Sequence, residues 1–419
     1  MKKLEVFGKK KLEGTIKVSG SKNASLPILA ASILSDKTTK ISNLPKVNDI
    51  ETMISLLISL GSKIKISKNK KSLEIKNSNK LKTFASYQLV KTMRAGILVL
   101  GPLLARFKKA KVSLPGGCAI GARPVDIHLK SLSKLGAKYK IKEGYIYATA
   151  PKGLIGSKII FPKISVGATQ NTIIAACFAK GKTILENCAL EPEIDDLILF
   201  LNKMGFKIER RVNRTINIIG SFKTSKLDHN VMPDRIEAGT YLIAGALTNG
   251  RLNINNINPK IIMTEINTLR KIGVKIMLKK NEVIVIGKRK LKSLNLKTSP
   301  YPGFPTDLQA QIMVLLCTAN GNSSITERIF ENRFMHVPEL NRMGAKIKLK
   351  GNKAIIKGNI KFKSAELMAT DLRASVSLVL AALCADRKSI INRIYHLERG
   401  YEELEKKLRK VGSHIRKVS

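Results

Sequence analysis

The chain has 419 residues, 44% of them apolar, which is enough for two domains with sizeable cores. Its 76 Lys and Arg against 30 Asp and Glu give a net charge of +46, but the basic residues are spread without a tail and aromatics are only 5%, so no nucleic-acid module is signalled. An odd count of 5 cysteines with no CxxC, and 5 scattered histidines with no HxxxH, speak against a disulfide framework and a metal site, and no apolar run reaches the span of a bilayer.

In chain order, Met1-Lys2-Lys3-Leu4-Glu5-Val6 is basic with no apolar stretch behind it, so it is not a signal peptide and the expectation is a cytoplasmic protein. An apolar helix follows from Asn23 to Leu34, then an amphipathic run from Ile50 to Leu60 that stops at Gly61. The alternating Ser62-Lys63-Ile64-Lys65-Ile66 after it reads as a strand. This sequence of elements returns at a period of roughly 70 residues, with glycines at 61, 136, 205, 273, 344 and 412. Interleaved with it are further apolar helices rich in small residues: Met93 to Leu104, Ala168 to Ala179, Ile236 to Leu247, Leu308 to Cys317 and Leu372 to Leu383. Helices apolar on most faces are buried ones, and Cys177, Cys317 and Cys384 within such stretches read as core packing. Each unit is then strand, buried helix, strand, amphipathic helix and two strands, and six copies divide into two α/β domains of three, helices inside and sheets outside.

The residues that begin the buried helices are Lys22, Arg94, Ser165-Val166-Gly167, Arg235, Asp307 and Asp371-Leu372-Arg373. A helix start offers unpaired N–H groups and partial positive charge. Six such starts facing one cleft, with basic residues at four of them, would bind anions. A separate segment, Leu114-Pro115-Gly116-Gly117-Cys118-Ala119-Ile120-Gly121-Ala122-Arg123-Pro124-Val125-Asp126, has the Gly and Pro content of a mobile loop. A nearby Arg123 would lower the pKa of the Cys118 thiol. Thr306 and Gln309 have capping-box spacing, which makes Asp307 the first helical residue, kept ionised by the helix dipole.

Together with this loop, seven motifs carry a resemblance from Leu4 to Ile415: Gly20-Ser21-Lys22-Asn23-Ala24, Lys91-Thr92-Met93-Arg94-Ala95, Lys163-Ile164-Ser165-Val166-Gly167, Pro233-Asp234-Arg235, Phe304-Pro305-Thr306-Asp307, Glu331-Asn332-Arg333-Phe334-Met335-His336 and Thr370-Asp371-Leu372-Arg373. The chain resembles the enolpyruvyl transferases of the UDP-N-acetylglucosamine 1-carboxyvinyltransferase family. The resemblance implies two inside-out α/β domains, each of three βαβαββ repeats: residues 21–231, and a discontinuous domain of 1–20 plus 232–419. It implies transfer of enolpyruvyl from phosphoenolpyruvate to the 3-hydroxyl of UDP-N-acetylglucosamine with release of phosphate, the first committed step of peptidoglycan synthesis. No cofactor, metal, nucleic acid or membrane span is implied.

By the same resemblance Lys22, Asn23, Arg123, Arg333, Arg373 and Arg399 bind phosphoenolpyruvate. Asn23, Arg94, Arg123, Pro124, Val125, Asp126, Ile127, Lys163, Ser165, Val166, Gly167, Asp307 and Ile329 bind the nucleotide sugar. Asp307 is the general base. Cys118 either protonates C3 or assists product release, and it can carry a covalent adduct derived from phosphoenolpyruvate. Asp371 and Glu191 are secondary candidates for handling protons. Two residues depart from the family's pattern: Asn48 stands where lysine is frequent, and Leu190 where a basic residue is.

Overall fold

The computed structural model describes residues 2–91, 93–116, 125–288 and 290–418. Contacts divide these into two compact units, 20–116 with 125–232, and 2–19 with 233–418. Each unit is built from three four-stranded sheets.

Every sheet repeats one pattern. In the unit that begins at Gly20, strand Thr39–Ser42 runs parallel to Leu227–Asn230 and antiparallel to Ser72–Lys76, which in turn pairs with Lys63–Ile66. The other unit draws on the chain's first residues twice. Lys3–Phe7 lies between Lys388–Asn392 and His414–Val418, and Glu13–Lys17 runs parallel to Arg251–Asn255. A discontinuous unit is thereby explained: two of its sheets lack a strand without residues 2–19.

The helices inside are those whose residues are apolar all round. In Arg235–Leu247 every residue is buried, and in Lys22–Ala31 every residue except Asn23 is. Val166–Ala176, Gln309–Thr318 and Leu372–Cys384 are buried over nearly their whole lengths. The amphipathic helices Asn48–Leu60, Pro192–Met204 and Met263–Ile272 end on Gly61, Gly205 and Gly273 at φ of 103°, 112° and 100°. Gly136, Gly344 and Gly412 occupy the same left-handed region at 94°, 89° and 99°. The recurring glycine is therefore a backbone requirement, since a Cβ is disfavoured there.

Two expectations are corrected. The apolar run from Met93 is not one helix. It is a 3₁₀ segment, Arg94–Val99, followed by an α-helix, Leu100–Phe107. Gly96 and Gly101 weaken it, and Pro102 has no N–H to give the preceding turn. Thr306 does not cap its helix. Thr306–Leu308 is a 3₁₀ turn leading into Gln309–Thr318, and Asp307 lies in that turn. Cys177 and Cys317 are fully buried, and Cys384 is partly buried but packs against the core of its unit. Among the described residues no helix is long and apolar enough to cross a membrane.

Two glycine substitutions separate sterics from backbone preference. A Cβ on Gly20 would lie 1.6 Å from the Asn43 carbonyl oxygen, whereas one on Gly136, at φ +94°, meets nothing within 4 Å. Gly136→Ala is expected to cost about 1–2 kcal/mol, and Gly20→Ala about 3 kcal/mol or more. Thermal melts of the two variants should reproduce that order, and equal shifts would refute it.

Candidate functional site

In the unit that begins at Gly20, the first buried helix opens on Ser21, whose hydroxyl accepts from the Ala24 N–H at 3.3 Å and whose own N–H donates to the Met232 carbonyl at 2.7 Å. Lys22, the next residue, is buried and pairs with Asp49 at 3.2 Å, and Asn23 beside it is partly exposed. Asp49 is in the first turn of Asn48–Leu60, so the Asn48 departure adjoins the lysine's partner. Burying an ammonium demands such a partner.

Three other stretches of this unit are tied by Asn171. Its Oδ1 accepts from the Gly101 N–H at 2.9 Å, and its Nδ2 lies 3.3 Å from the Ile97 carbonyl and 3.2 Å from Nδ1 of His128. These bonds join the Arg94 segment, the helix Asp126–Lys134 that begins just after Val125 and contains Ile127, and the helix that begins at Val166. Ser165 caps that last helix through the Ala168 N–H at 3.3 Å. Val125, Asp126, Ser165, Val166 and Gly167 are partly exposed at these starts, Ile127 is buried and Lys163 is exposed. Glu191, at the cap position of Pro192–Met204, is buried.

In the other unit the starts of two buried helices meet at Asp307. Arg333 reaches its Oδ1 at 2.9 Å and Arg373 its Oδ2 at 2.8 Å. Both guanidinium groups are buried, while the Asp307 side chain keeps 25% of its surface open. Two cations in contact favour the charged form of a carboxylate. Reciprocally, burial pushes the Arg373 guanidinium down, but the Asp307 carboxylate together with Tyr401 and Asp234 outweighs it and the net displacement is upward. The Thr306 hydroxyl, freed from capping, donates to Glu327 at 2.9 Å. Glu327 also accepts from Thr298 and from the Ile329 N–H, each at 2.8 Å, so it fixes the Asp307 turn and the Ile329 backbone together.

Asp371 caps the third helix, accepting from the N–H groups of Arg373 at 2.7 Å and Ala374 at 3.0 Å. Arg399 ends the 3₁₀ segment Ile394–Arg399, and a Cβ on Gly400 would come within 2.7 Å of Leu372, which sets that segment against the same helix start. Arg235, beginning the remaining buried helix, pairs with Glu265 at 3.4 Å and stacks 5.5 Å over the Tyr301 ring. His336, in the Arg333 segment, is buried with Nε2 3.3 Å from the Met313 sulfur.

Cys118, Arg123 and Pro124 lie outside the described residues. Sequence reasoning passed over Asp49, Asn171, Glu327 and Tyr401. Of these only Tyr401 had a local signal, two residues after Arg399. Among the described residues no three His, Cys, Asp or Glu side chains are grouped to hold a metal ion.

The sequence family described as EPSP synthase (3-phosphoshikimate 1-carboxyvinyltransferase) matches residues 6–408. Proteins named UDP-N-acetylglucosamine 1-carboxyvinyltransferase are 69% identical in Pelagibacter ubique, 52% in Rickettsia bellii and 50% in Geobacter metallireducens, each alignment covering 100% of both chains. Among solved structures, the enolpyruvyl transferase NikO from Streptomyces tendae superposes with a TM-score of 0.90 at 24% identity, covering 100% of this chain and 99% of that one. EPSP synthase from Acinetobacter baumannii gives 0.77 at 18%, covering 100% of both. These two likenesses establish the fold: mixed α/β with inside-out, repeated units.

Acid should weaken the Arg333 segment through His336. Burial pushes its pKa from the ordinary 6.5 down to about 4, against the pull of Asp371. The unfolded chain therefore binds more protons between these values, and stability falls as pH drops from 6.5 towards 4. His336→Gln should lose less stability over that window, by on the order of 2–3 kcal/mol. Urea unfolding at several pH values measures it, and identical slopes for parent and variant would contradict the assignment.

Proposed function

Because the chain belongs to the UDP-N-acetylglucosamine 1-carboxyvinyltransferase family, we propose that it transfers the enolpyruvyl group of phosphoenolpyruvate to the 3-hydroxyl of UDP-N-acetylglucosamine, releasing phosphate. This is the first committed step of peptidoglycan synthesis, and we place it in the cytoplasm. The observation that carries the reading is the Asp307 carboxylate held between the buried Arg333 and Arg373 at 2.9 and 2.8 Å.

The reaction adds the sugar oxygen to C2 of phosphoenolpyruvate while C3 gains a proton. C3 then loses a proton as the C2–phosphate bond breaks, which restores the double bond on the transferred group. Both substrates are polyanions, so fixed cations stabilise them best in a water-poor site. Lys22, Arg123 and Arg399 take the phosphate, and Arg333, Arg373 and Arg399 the carboxylate, and Asn23 also serves phosphoenolpyruvate. Asn23, Arg94, Arg123 to Ile127, Lys163, Ser165 to Gly167, Asp307 and Ile329 take the nucleotide sugar. The N–H groups at Ser165, Val166 and Gly167 suit a pyrophosphate.

Asp307 accepts the 3-hydroxyl proton. A carboxylate matched by two guanidinium groups is a weak base, so removal of the proton has to accompany bond formation at C2. The arriving carboxylate of phosphoenolpyruvate draws on the same two arginines, which loosens their hold on Asp307 and makes it more basic when it is needed. Cys118 serves C3 as proton donor or serves product release, and forms the covalent adduct. Asp371 and Glu191 are further groups for proton traffic.

Phosphate release measured with each acceptor separates this reading from the shikimate 3-phosphate chemistry in the family description. Release is expected with UDP-N-acetylglucosamine and not with shikimate 3-phosphate, and the reverse would sink the proposal. Asp307→Ala should cut kcat by about 10²–10⁴-fold while calorimetry shows the nucleotide sugar still binding. Loss of binding as well would move Asp307 from base to anchor.

The epoxide fosfomycin should add once to the chain, at Cys118, as intact-mass spectrometry would report. A Cys118→Asp variant should remain unlabelled, and labelling at the parent's rate would remove Cys118 from its role.

A further inference from the structure

Tyr401 has a place in this machinery that the motifs do not assign. Its side chain is buried, its ring lies 5.5 Å from the Arg373 guanidinium, and its hydroxyl is 3.0 Å from the Thr240 hydroxyl and 3.2 Å from Gln311 Nε2. The direction of these bonds can be read. Thr240 donates its proton to the Ile236 carbonyl at 2.8 Å, so Tyr401 is the donor to Thr240 and the acceptor from Gln311. The same Gln311 amide donates to the Asp307 carbonyl at 2.9 Å. Burial pushes the Tyr401 pKa upward, which keeps its proton in place at neutral pH.

One chain of bonds thus runs from Asp307 through Gln311, Tyr401 and Thr240 to the start of the Arg235–Leu247 helix. Thr240, Gln311 and Tyr401 are 1%, 0% and 3% exposed, so water offers them little substitute. Asp307 is gripped at both ends: its carboxylate by Arg373, which stacks on the Tyr401 ring, and its backbone by Gln311, which leans on the Tyr401 hydroxyl. When a substrate carboxylate recruits Arg333 and Arg373, their grip on the side chain slackens and the backbone anchor through Gln311 stays in place.

We propose that Tyr401 and Gln311 are positioning residues that hold Asp307 in its proton-accepting pose once the arginines turn to the substrate. The inference rests on the enolpyruvyl-transfer reading above. Tyr401→Phe keeps the ring beneath Arg373 and removes the hydroxyl with its contacts to Thr240, Gln311 and Arg373. Gln311→Met keeps length and removes both donors.

In the full chain, each variant should lower kcat by about five- to ten-fold, the scale of one lost hydrogen bond. KM for either substrate should stay within about two-fold, because neither residue holds substrate. The double variant should be no slower than the slower single one, since both act through one chain of bonds. Activity is expressed per folded molecule, using circular dichroism and melting to correct for lost protein, so a merely structural role would leave kcat unchanged. An unchanged kcat in both single variants, or a double loss equal to the product of the two, overturns the positioning role alone. A parent that releases no phosphate with either substrate pair overturns the enolpyruvyl-transfer reading, and this inference falls with it.

Discussion

Each unit is organised around helices with no polar side to show to water. Arg235–Leu247 buries every one of its residues, and its counterparts come close to that. Such helices have to be wrapped on all sides, and small sheets do the wrapping. What cannot be wrapped without loss is a helix end, where the N–H groups of the first turn lack partners. Polar chemistry is therefore displaced to the starts of the helices: Ser21, Ser165, Asp234 and Asp371 cap them with their own side chains. The charges that follow these caps are matched before any substrate arrives, Lys22 by Asp49, Arg235 by Glu265 and Arg373 by Asp307.

Matching has a chemical consequence. A buried cation without a partner would lower stability by several kcal/mol, and a cation with a perfect partner would bind no ligand. The structure lies between these limits. The Asp307 carboxylate meets one arginine at each oxygen yet keeps 25% of its side-chain surface accessible. An incoming anion can then share the arginines rather than evict a fully enclosed counter-ion. Lys22 and Asp49 are more enclosed, at 10% and 7% side-chain exposure, so an anion that reaches Lys22 has to compete harder with its resident partner.

The sequence displayed the parts of this arrangement that rest on backbone requirements or on one continuous segment. A left-handed φ calls for glycine, so the six terminating glycines stood out by spacing. Helices buried all round are apolar all round, so the six inner ones could be read too. Their ends were less legible: at Arg94–Val99 and Thr306–Leu308 the chain winds more tightly than a composition-based reading foresees. Residues whose partners are distant in the chain gave no signal. Tyr401 and Thr240 are 161 positions apart, Arg373 and Asp307 66, and Asn171 joins segments more than 40 positions away. Motif resemblance named Arg373 and Asp307 but not the pairing between them, and it was silent about Asn171 and Glu327.

Some of the chain's many basic residues lie on the edges of its sheets. Six separate four-stranded sheets leave many edges, and an edge strand with free N–H and C=O groups invites pairing with another chain. In each sheet one edge is the strand that follows a terminating glycine, and every such strand is basic. Lys63 and Lys65 stand on one, Lys138, Lys140 and Lys142 on the next, then Lys207, Arg210 and Arg211. The series continues with Lys275 and Lys279, with Lys346, Lys348 and Lys350, and with Arg416 and Lys417. Like charges along an edge repel the edge of a second molecule, so these positions guard the sheets against edge-to-edge association. A protein that wraps two helical cores with six small sheets has more edges to guard than one built on a single large sheet.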